Sequence, residues 1–240
     1  MMYNTSEFCF NPPAALSFAR RILIKPDAAY PLPYPHTTSR DILARVVSCI
    51  RHVSDADIVI LEGNPDGEAM RPIYNALGYD FPRVVMMDVR DCVMVEVENP
   101  LSKPFAMTTF WVPNVLLACD YLISVAPFKV RGGHGCFALR NLLGLLPMAK
   151  YRATGIRNPL ERFHSDLVVA DLYYTIPFDL GIVDARQLFV EEEPGHEKVE
   201  NFGKIFLGDP RDVDAEASSV AGTDMGYLRM IQAAHADQKI

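Results

Sequence analysis

The feature that most restricts the fold is a set of short, almost uninterrupted apolar runs, each closed by a polar or turn residue. They are RILIKPD (Arg20 to Asp27), DIVILEG (Asp57 to Gly63), RVVMMDV (Arg83 to Val89) and YLISVAP (Tyr121 to Pro127). A strand with one face in water alternates apolar and polar residues, whereas a strand covered on both faces is apolar throughout, as inside a parallel sheet flanked by helices. Stretches with helical spacing separate the runs. In SRDILARVVSCIRHV, Ser39 stands as N-cap ahead of Ile42, Val46, Cys49, Ile50 and Val53, and GEAMRPIYNALGY closes at Gly78. Further on, DLGIVDA (Asp179 to Ala185) and FGKIFLG (Phe202 to Gly208) read as strands. NVLLACD, ALRNLLGLLP, NPLERFHSDLVVADLYYTI with Asn158 as cap and Pro159 in first position, DPRDVDAEASSVAG with Asp209 as cap, and the stretch from Met225 onward read as helices. The expectation is a single α/β domain over residues 1–240: a mostly parallel sheet with helices on both faces and a small β-excursion near 93–113.

Charge narrows the partners. The net charge of -7 disfavours nucleic acid and anionic membrane, since both require clustered basic surface. No apolar span approaches the roughly 20 residues of a membrane helix. The N-terminal stretch lacks the pattern of a secretory signal, so the expected location is cytoplasmic. Five widely spaced cysteines without a C-x-x-C pair, and six histidines without H-x-x-x-H or H-E-x-x-H spacing, lead to an expectation of no iron–sulfur cluster and no zinc. Most of the cysteines read as small core residues.

The charge is unevenly spread. From Tyr121 to Leu160 there are six Lys or Arg and no Asp or Glu, leaving 17 basic and 30 acidic residues elsewhere. At the centre of this basic island lies FKVRGGHGCFALRNLLG (Phe128 to Gly144), where a strand is expected to pass through a glycine-rich turn into a helix. Free amides and the dipole at a helix start favour an anion. The expected binding residues are therefore Lys25, Arg131, Gly132, Gly133, Gly135, Arg140 and Asn141, with Lys129 and His134 as candidates for proton transfer. GHGCFA satisfies G-x-G-x-x-G/A in form, but the strand and ribose-binding acid of a dinucleotide site do not follow. Ligands of doubly wound sheets lie at the carboxyl ends of strands, which adds the carboxylates Asp27, Glu62, Asp184, Asp209 and Asp214. Asp209 also has a plain reading as a helix cap.

RILIKPD…YPHTTSRDILARVVSCI, ADIVILEGNPDG, CDYLISVAPFKV…GCFALRNLLGLLP, DLGIVDA and LGDPRDVDAEA occur in an order that resembles the family called domain of unknown function 362 (DUF362), over about residues 20–228. The resemblance implies an α/β domain. Many members add a ferredoxin-like iron–sulfur module; no such module is expected here. Against the family's K-x-K-x-H and A-L-K-N-L-x-G patterns, Lys129 matches one lysine, His134 matches with a gap, Asn141 and Gly144 match, and Arg140 replaces a lysine. Arginine stays charged, so amine-based covalent catalysis at that position is excluded. The layout is also similar to the N-terminal domain of nickel-pincer lactate racemase, whose loop lysine carries the cofactor; with Arg140 there, no such tether is expected.

Two readings stay open at this level. One is a protein, with or without acid/base chemistry, that binds a phosphate- or carboxylate-bearing small molecule at the glycine-rich basic loop. The other is a non-catalytic accessory or carrier module for a redox or cofactor-assembly pathway, working with a protein partner or as a homo-oligomer. The substrate, any cofactor and any metal are not specified by the sequence.

Overall fold

The computed structural model describes residues 1–5, 8–152, 165–193 and 195–237. In chain order the elements are β1 (Met2–Asn4), β2 (Arg21–Pro26), α1 (Arg40–Val53), β3 (Asp57–Glu62), α2 (Met70–Ala76), β4 (Val84–Asp88), β5 (Met94–Glu98), β6 (Thr109–Pro113) and α3 (Asn114–Leu117). They continue as β7 (Tyr121–Arg131), β8 (His134–Cys136), α4 (Ala138–Asn141), α5 (Met148–Arg152), α6 (Ser165–Thr175), β9 (Leu180–Glu191), β10 (Glu197–Gly208), α7 (Pro210–Ala221) and α8 (Gly226–Asp237). The main sheet has the order β1-β10-β9-β7-β2-β3-β4, with β8 paired to β7. Pairings from β9 through β4 are parallel; β10 and β1 add antiparallel strands at one side.

The apolar runs explain this arrangement. Within β2 and β3, Ile22, Ile24, Ile58 and Ile60 point to one face and meet α1 and α2, while Leu23, Val59 and Leu61 point to the other. That second face is covered by α3, α4, α6, α7 and α8 together with the β5–β6 hairpin. All seven side chains are at most 4% exposed, and burying each contributes about 1.5–3 kcal/mol relative to exposure. Helices on both faces and a β-excursion at Met94–Pro113 are as the sequence suggests. The proposed helix start at Asn158 and Pro159 lies outside the described residues.

Ser39 caps α1 by accepting from the Ile42 amide, and Asp209 caps α7 by accepting from the amides of Arg211 and Asp212. Three expectations need correction. β7 does not stop at Pro127 but runs on to Arg131, and β9 continues past Ala185 to Glu191, so neither Pro127 nor Asp184 ends a strand. β1, an edge strand of three residues, carries no apolar run to announce it. The cysteines are core residues only in part: Cys9 is exposed, while Cys49, Cys92 and Cys119 are half-buried and pack against the edges of the core.

The excursion is fastened by a buried acid. Asp171 on α6, fully buried, accepts hydrogen bonds from the amides of Phe105 (2.9 Å), Ala106 (2.7 Å) and Met107 (2.8 Å) and from Asn99 Nδ2 (2.8 Å). Asp171→Ala strands these donors, each of which costs free energy when buried without a partner. The variant is expected to lose about 3 kcal/mol or more of stability, measured by urea denaturation.

Candidate functional site

Two strands end, and a third passes, beside one cavity. β2 delivers Lys25 and then Asp27, β3 delivers Glu62 and Gly63, β7 carries Lys129, and α4 with the turn after it brings Arg140, Asn141 and Gly144. These residues line a hollow of about 230 Å³ together with Cys136, Leu146 and Met148.

Its floor is the ion pair of Lys25 and Glu62, each 1% exposed. Lys25 Nζ lies 2.7 Å from Glu62 Oε1 and donates to Glu62 Oε2 (2.8 Å), to the Pro26 carbonyl (2.7 Å) and to Asn141 Oδ1 (2.9 Å). Glu62 also accepts from the amides of Ala28 (2.8 Å) and Gly63 (2.9 Å). Burial raises the Glu62 carboxyl above its ordinary range, against the pull of Lys25. Both oxygens nevertheless face only donors, which is the environment of a carboxylate rather than a carboxylic acid. Asn141 completes the floor by donating to the Lys25 carbonyl (3.1 Å) and to Ser124 Oγ (2.9 Å). The backbone at Gly144 presses on this pair. A Cβ there would lie 2.5 Å from Glu62 Oε1 and 2.9 Å from Lys25 Nζ, which explains the glycine.

Two further ion pairs form the sides. Lys129 binds Asp27 and donates to the His36 carbonyl (2.8 Å), so one ammonium holds the start and the end of the proline-rich segment after β2. Arg140 binds Asp166 of α6, with its guanidinium 5.7 Å above the Tyr227 ring. The acid-free island of the sequence is therefore matched by acids in space. Arg131 follows the same rule with Glu191, at 3.0 Å.

The glycine-rich turn is not the cradle expected. Gly132 and Gly133, at φ of 53° and 77°, make the two-residue turn of a β7–β8 hairpin, in which left-handed backbone favours glycine. Gly135 sits in β8, where a Cβ would collide with the Phe137 ring at 2.4 Å. His134 is exposed on this hairpin and, like Arg131, is not among the residues lining the cavity. The helix start that was to receive an anion is occupied: Asp214 of α7 accepts from the amides of Ala138 (2.8 Å) and Leu139 (3.0 Å) and from the Tyr227 hydroxyl (2.6 Å).

Of the residues singled out in the sequence, the fold thus gathers Lys25, Asp27, Glu62, Lys129, Arg140 and Asn141 at one cavity. The remaining carboxylates are elsewhere. Asp209 caps α7, Asp214 caps α4, and Asp184, fully buried in β9, binds Arg186 at 2.7 Å and accepts from Ser39 Oγ at 3.2 Å. Asp166, Ser124 and Cys136 were not singled out, because only the closed fold sets them beside Arg140, Asn141 and the cavity.

The architecture is that of an α/β protein with a mostly parallel sheet, and its ion-paired cavity lies toward the carboxyl ends of the strands, where sheets of this class form their clefts. The chain belongs to the DUF362 family, a domain of unknown function whose model matches residues 22–219. Its fold is similar to that of the lactate racemase apoprotein from Thermoanaerobacterium thermosaccharolyticum, with a TM-score of 0.54 and 18% sequence identity. That match covers 89% of this chain and 52% of the racemase chain, so this chain spans about half the length of its structural neighbour. No curated protein sequence matches it. Among the described residues, no helix is long and apolar enough to cross a membrane.

Two outcomes test the scaffold of the site. Lys25→Met leaves Glu62 buried without its counter-ion and is expected to cost about 3–5 kcal/mol in chemical denaturation, whereas the double variant with Glu62→Leu costs less than the single one. Burial raises the Asp214 carboxyl to about 7, against the Tyr227 hydroxyl and the two helix amides. A carboxyl raised in the folded state stabilises most below its unfolded pKa, and that contribution is lost as pH rises through the folded value. Wild-type stability should therefore fall between about pH 4 and pH 7 relative to Asp214→Asn, as read from urea titrations across that range.

Proposed function

We propose that this protein binds a small carboxylate- or phosphate-bearing molecule in the cavity beyond β2, β3 and β7, with Lys129 and Arg140 as its cationic contacts. The observation that supports this most is the difference between the floor and the sides. Lys25 Nζ and Glu62 have their hydrogen bonds met inside the protein at 1% exposure, whereas Lys129 and Arg140, at 6% and 12%, line the cavity beside acids that are 19% and 18% exposed. An arriving anion can share Lys129 and Arg140 with these acids, which keep the cations charged and aimed before it arrives. Such preorganisation lowers the cost of binding.

The same arrangement carries acid/base capacity. A proton on a bound ligand within reach of Asp27 can pass to that carboxylate while Lys129 balances the charge, and it can return by the reverse route. His134, on the outer hairpin, has no part in this scheme. The structural neighbour is a lactate racemase, and a small hydroxycarboxylate is in keeping with the size and charge of this cavity. Binding is therefore assigned to the strand-end cavity rather than to the glycine-rich turn.

Isothermal titration of the full chain with acetate, lactate, pyruvate and inorganic phosphate tests the reading. At least one of these anions is expected to bind. Arg140→Ala and Lys129→Met should each weaken it tenfold or more, about 1.4 kcal/mol, while Arg131→Ala on the outer hairpin leaves it unchanged. Equal affinities in wild type and both cavity variants, or no binding by any anion, would overturn it.

A further inference from the structure

A second hollow of about 340 Å³ adjoins the ion-paired cavity. The two share Gly63, Leu146 and Met148 in their linings, so they adjoin as two compartments along these residues. Gly63 lies at that junction. A Cβ there would stand 2.8 Å from the Gly144 carbonyl, which lines the first compartment, and 3.0 Å from Val89 Cβ, which lines the second. The compartments differ in chemistry: the second is walled by Val89, Cys92, Met94, Leu146 and Met148, with the charged residues Glu68, Asp88, Arg90 and Lys150 also in its lining. Arg90 lies 3.7 Å from Asp88, and Lys150 packs 4.1 Å over the Trp111 ring. Cys92 donates to the Asp88 carbonyl at 3.3 Å, which leaves its sulfur as a soft apolar surface.

Protein interiors close around voids larger than a water molecule unless something occupies them, and concave apolar surface of this size beside a few converging polar groups is the usual form of a ligand site. We infer that the ligand has two parts, an anionic head held between Lys129 and Arg140 and an apolar, aryl-sized body seated against Val89, Cys92, Met94 and Met148. This rests on the anion-binding reading above and deepens it: the substrate class becomes an aryl- or alkyl-substituted carboxylate or phosphate rather than a bare small acid.

The test compares acetate with phenylacetate, which share a head and differ in body. Calorimetry on the full chain is expected to show phenylacetate binding at least tenfold more tightly than acetate. Met94→Trp, which fills the second compartment, should bring phenylacetate down to the level of acetate while leaving acetate unchanged. Cys92→Phe serves the same purpose if circular dichroism shows that the Trp variant is unfolded. Peptide mass spectrometry supplies the location: phenylacetate, but not acetate, should slow alkylation of Cys92. If acetate binds and phenylacetate binds no better, or if its advantage survives both filling variants, the two-part ligand is overturned and the anion site stands. If neither binds while lactate, pyruvate or phosphate does, the two-part ligand is overturned and the anion site stands; if none of them binds, both readings fall.

Discussion

The buried pair of Lys25 and Glu62 is the constraint from which the rest of the site follows. It joins the ends of two neighbouring parallel strands, and Asn141 of α4 ties Lys25 of β2 to Ser124 of β7. Neither residue has any solvent to fall back on, so each must be matched by hydrogen bonds, and together they are. Matching fixes position. The carboxylate can accept from the Ala28 and Gly63 amides only if the chain leaves β2 and β3 in these directions, and the ammonium can reach Asn141 only if α4 starts where it does. A buried pair of this kind adds little net stability compared with apolar residues of the same shape. Its contribution is to single out one arrangement of the strand ends.

That arrangement also accounts for the balance of charge around the cavity. Lys129, Arg131 and Arg140 come from one short basic segment, while their partners Asp27, Glu191 and Asp166 come from three separate places in the chain. A segment rich in cations and free of acids would repel itself if it stayed isolated in a medium of low dielectric. Folding brings one carboxylate to each of these three cations, which leaves a local field that is strong but nearly neutral in sum. Such a field favours a ligand able to exchange places with a protein carboxylate over a polyanion that needs a broad positive surface.

Much of the fold was legible in the sequence, because parallel strands covered on both faces need continuous apolar runs and helices need caps. β2, β3, β4 and the first half of β7 follow from the former; α1 and α7 follow from Ser39 and Asp209. The site was legible only as a set of residue types near strand ends. The glycines of Phe128 to Gly144 fit a strand-to-helix cradle and a hairpin equally well at the level of sequence. What distinguishes them is that Gly132 and Gly133 both adopt positive φ and that β8 pairs back on β7 through Lys129–Cys136 and Arg131–His134. Asp171 and Asp166, which lie on an apolar helix, carry no local mark of their partners. Their roles depend on contacts with residues far away in the chain.

The replacement of the cradle by a hairpin changes which parts of the molecule support the proposed ligand site. Had the α4 amides been free, the anion would have been held by backbone, and α7 and α8 would have been mere cover. Instead Asp214 of α7 holds those amides, and Tyr227 of α8 both donates to Asp214 and lies under Arg140. Arg140 and Asn141 sit on a helix of only four residues, too short to keep its direction without such support. The side chains proposed to meet the ligand are thus aimed by a buried acid and an aromatic ring from the last two helices. The C-terminal part of the chain belongs to the site as much as the strands that open it, and changes at Asp214 or Tyr227 should act on the cavity through Arg140 even though neither residue lines it.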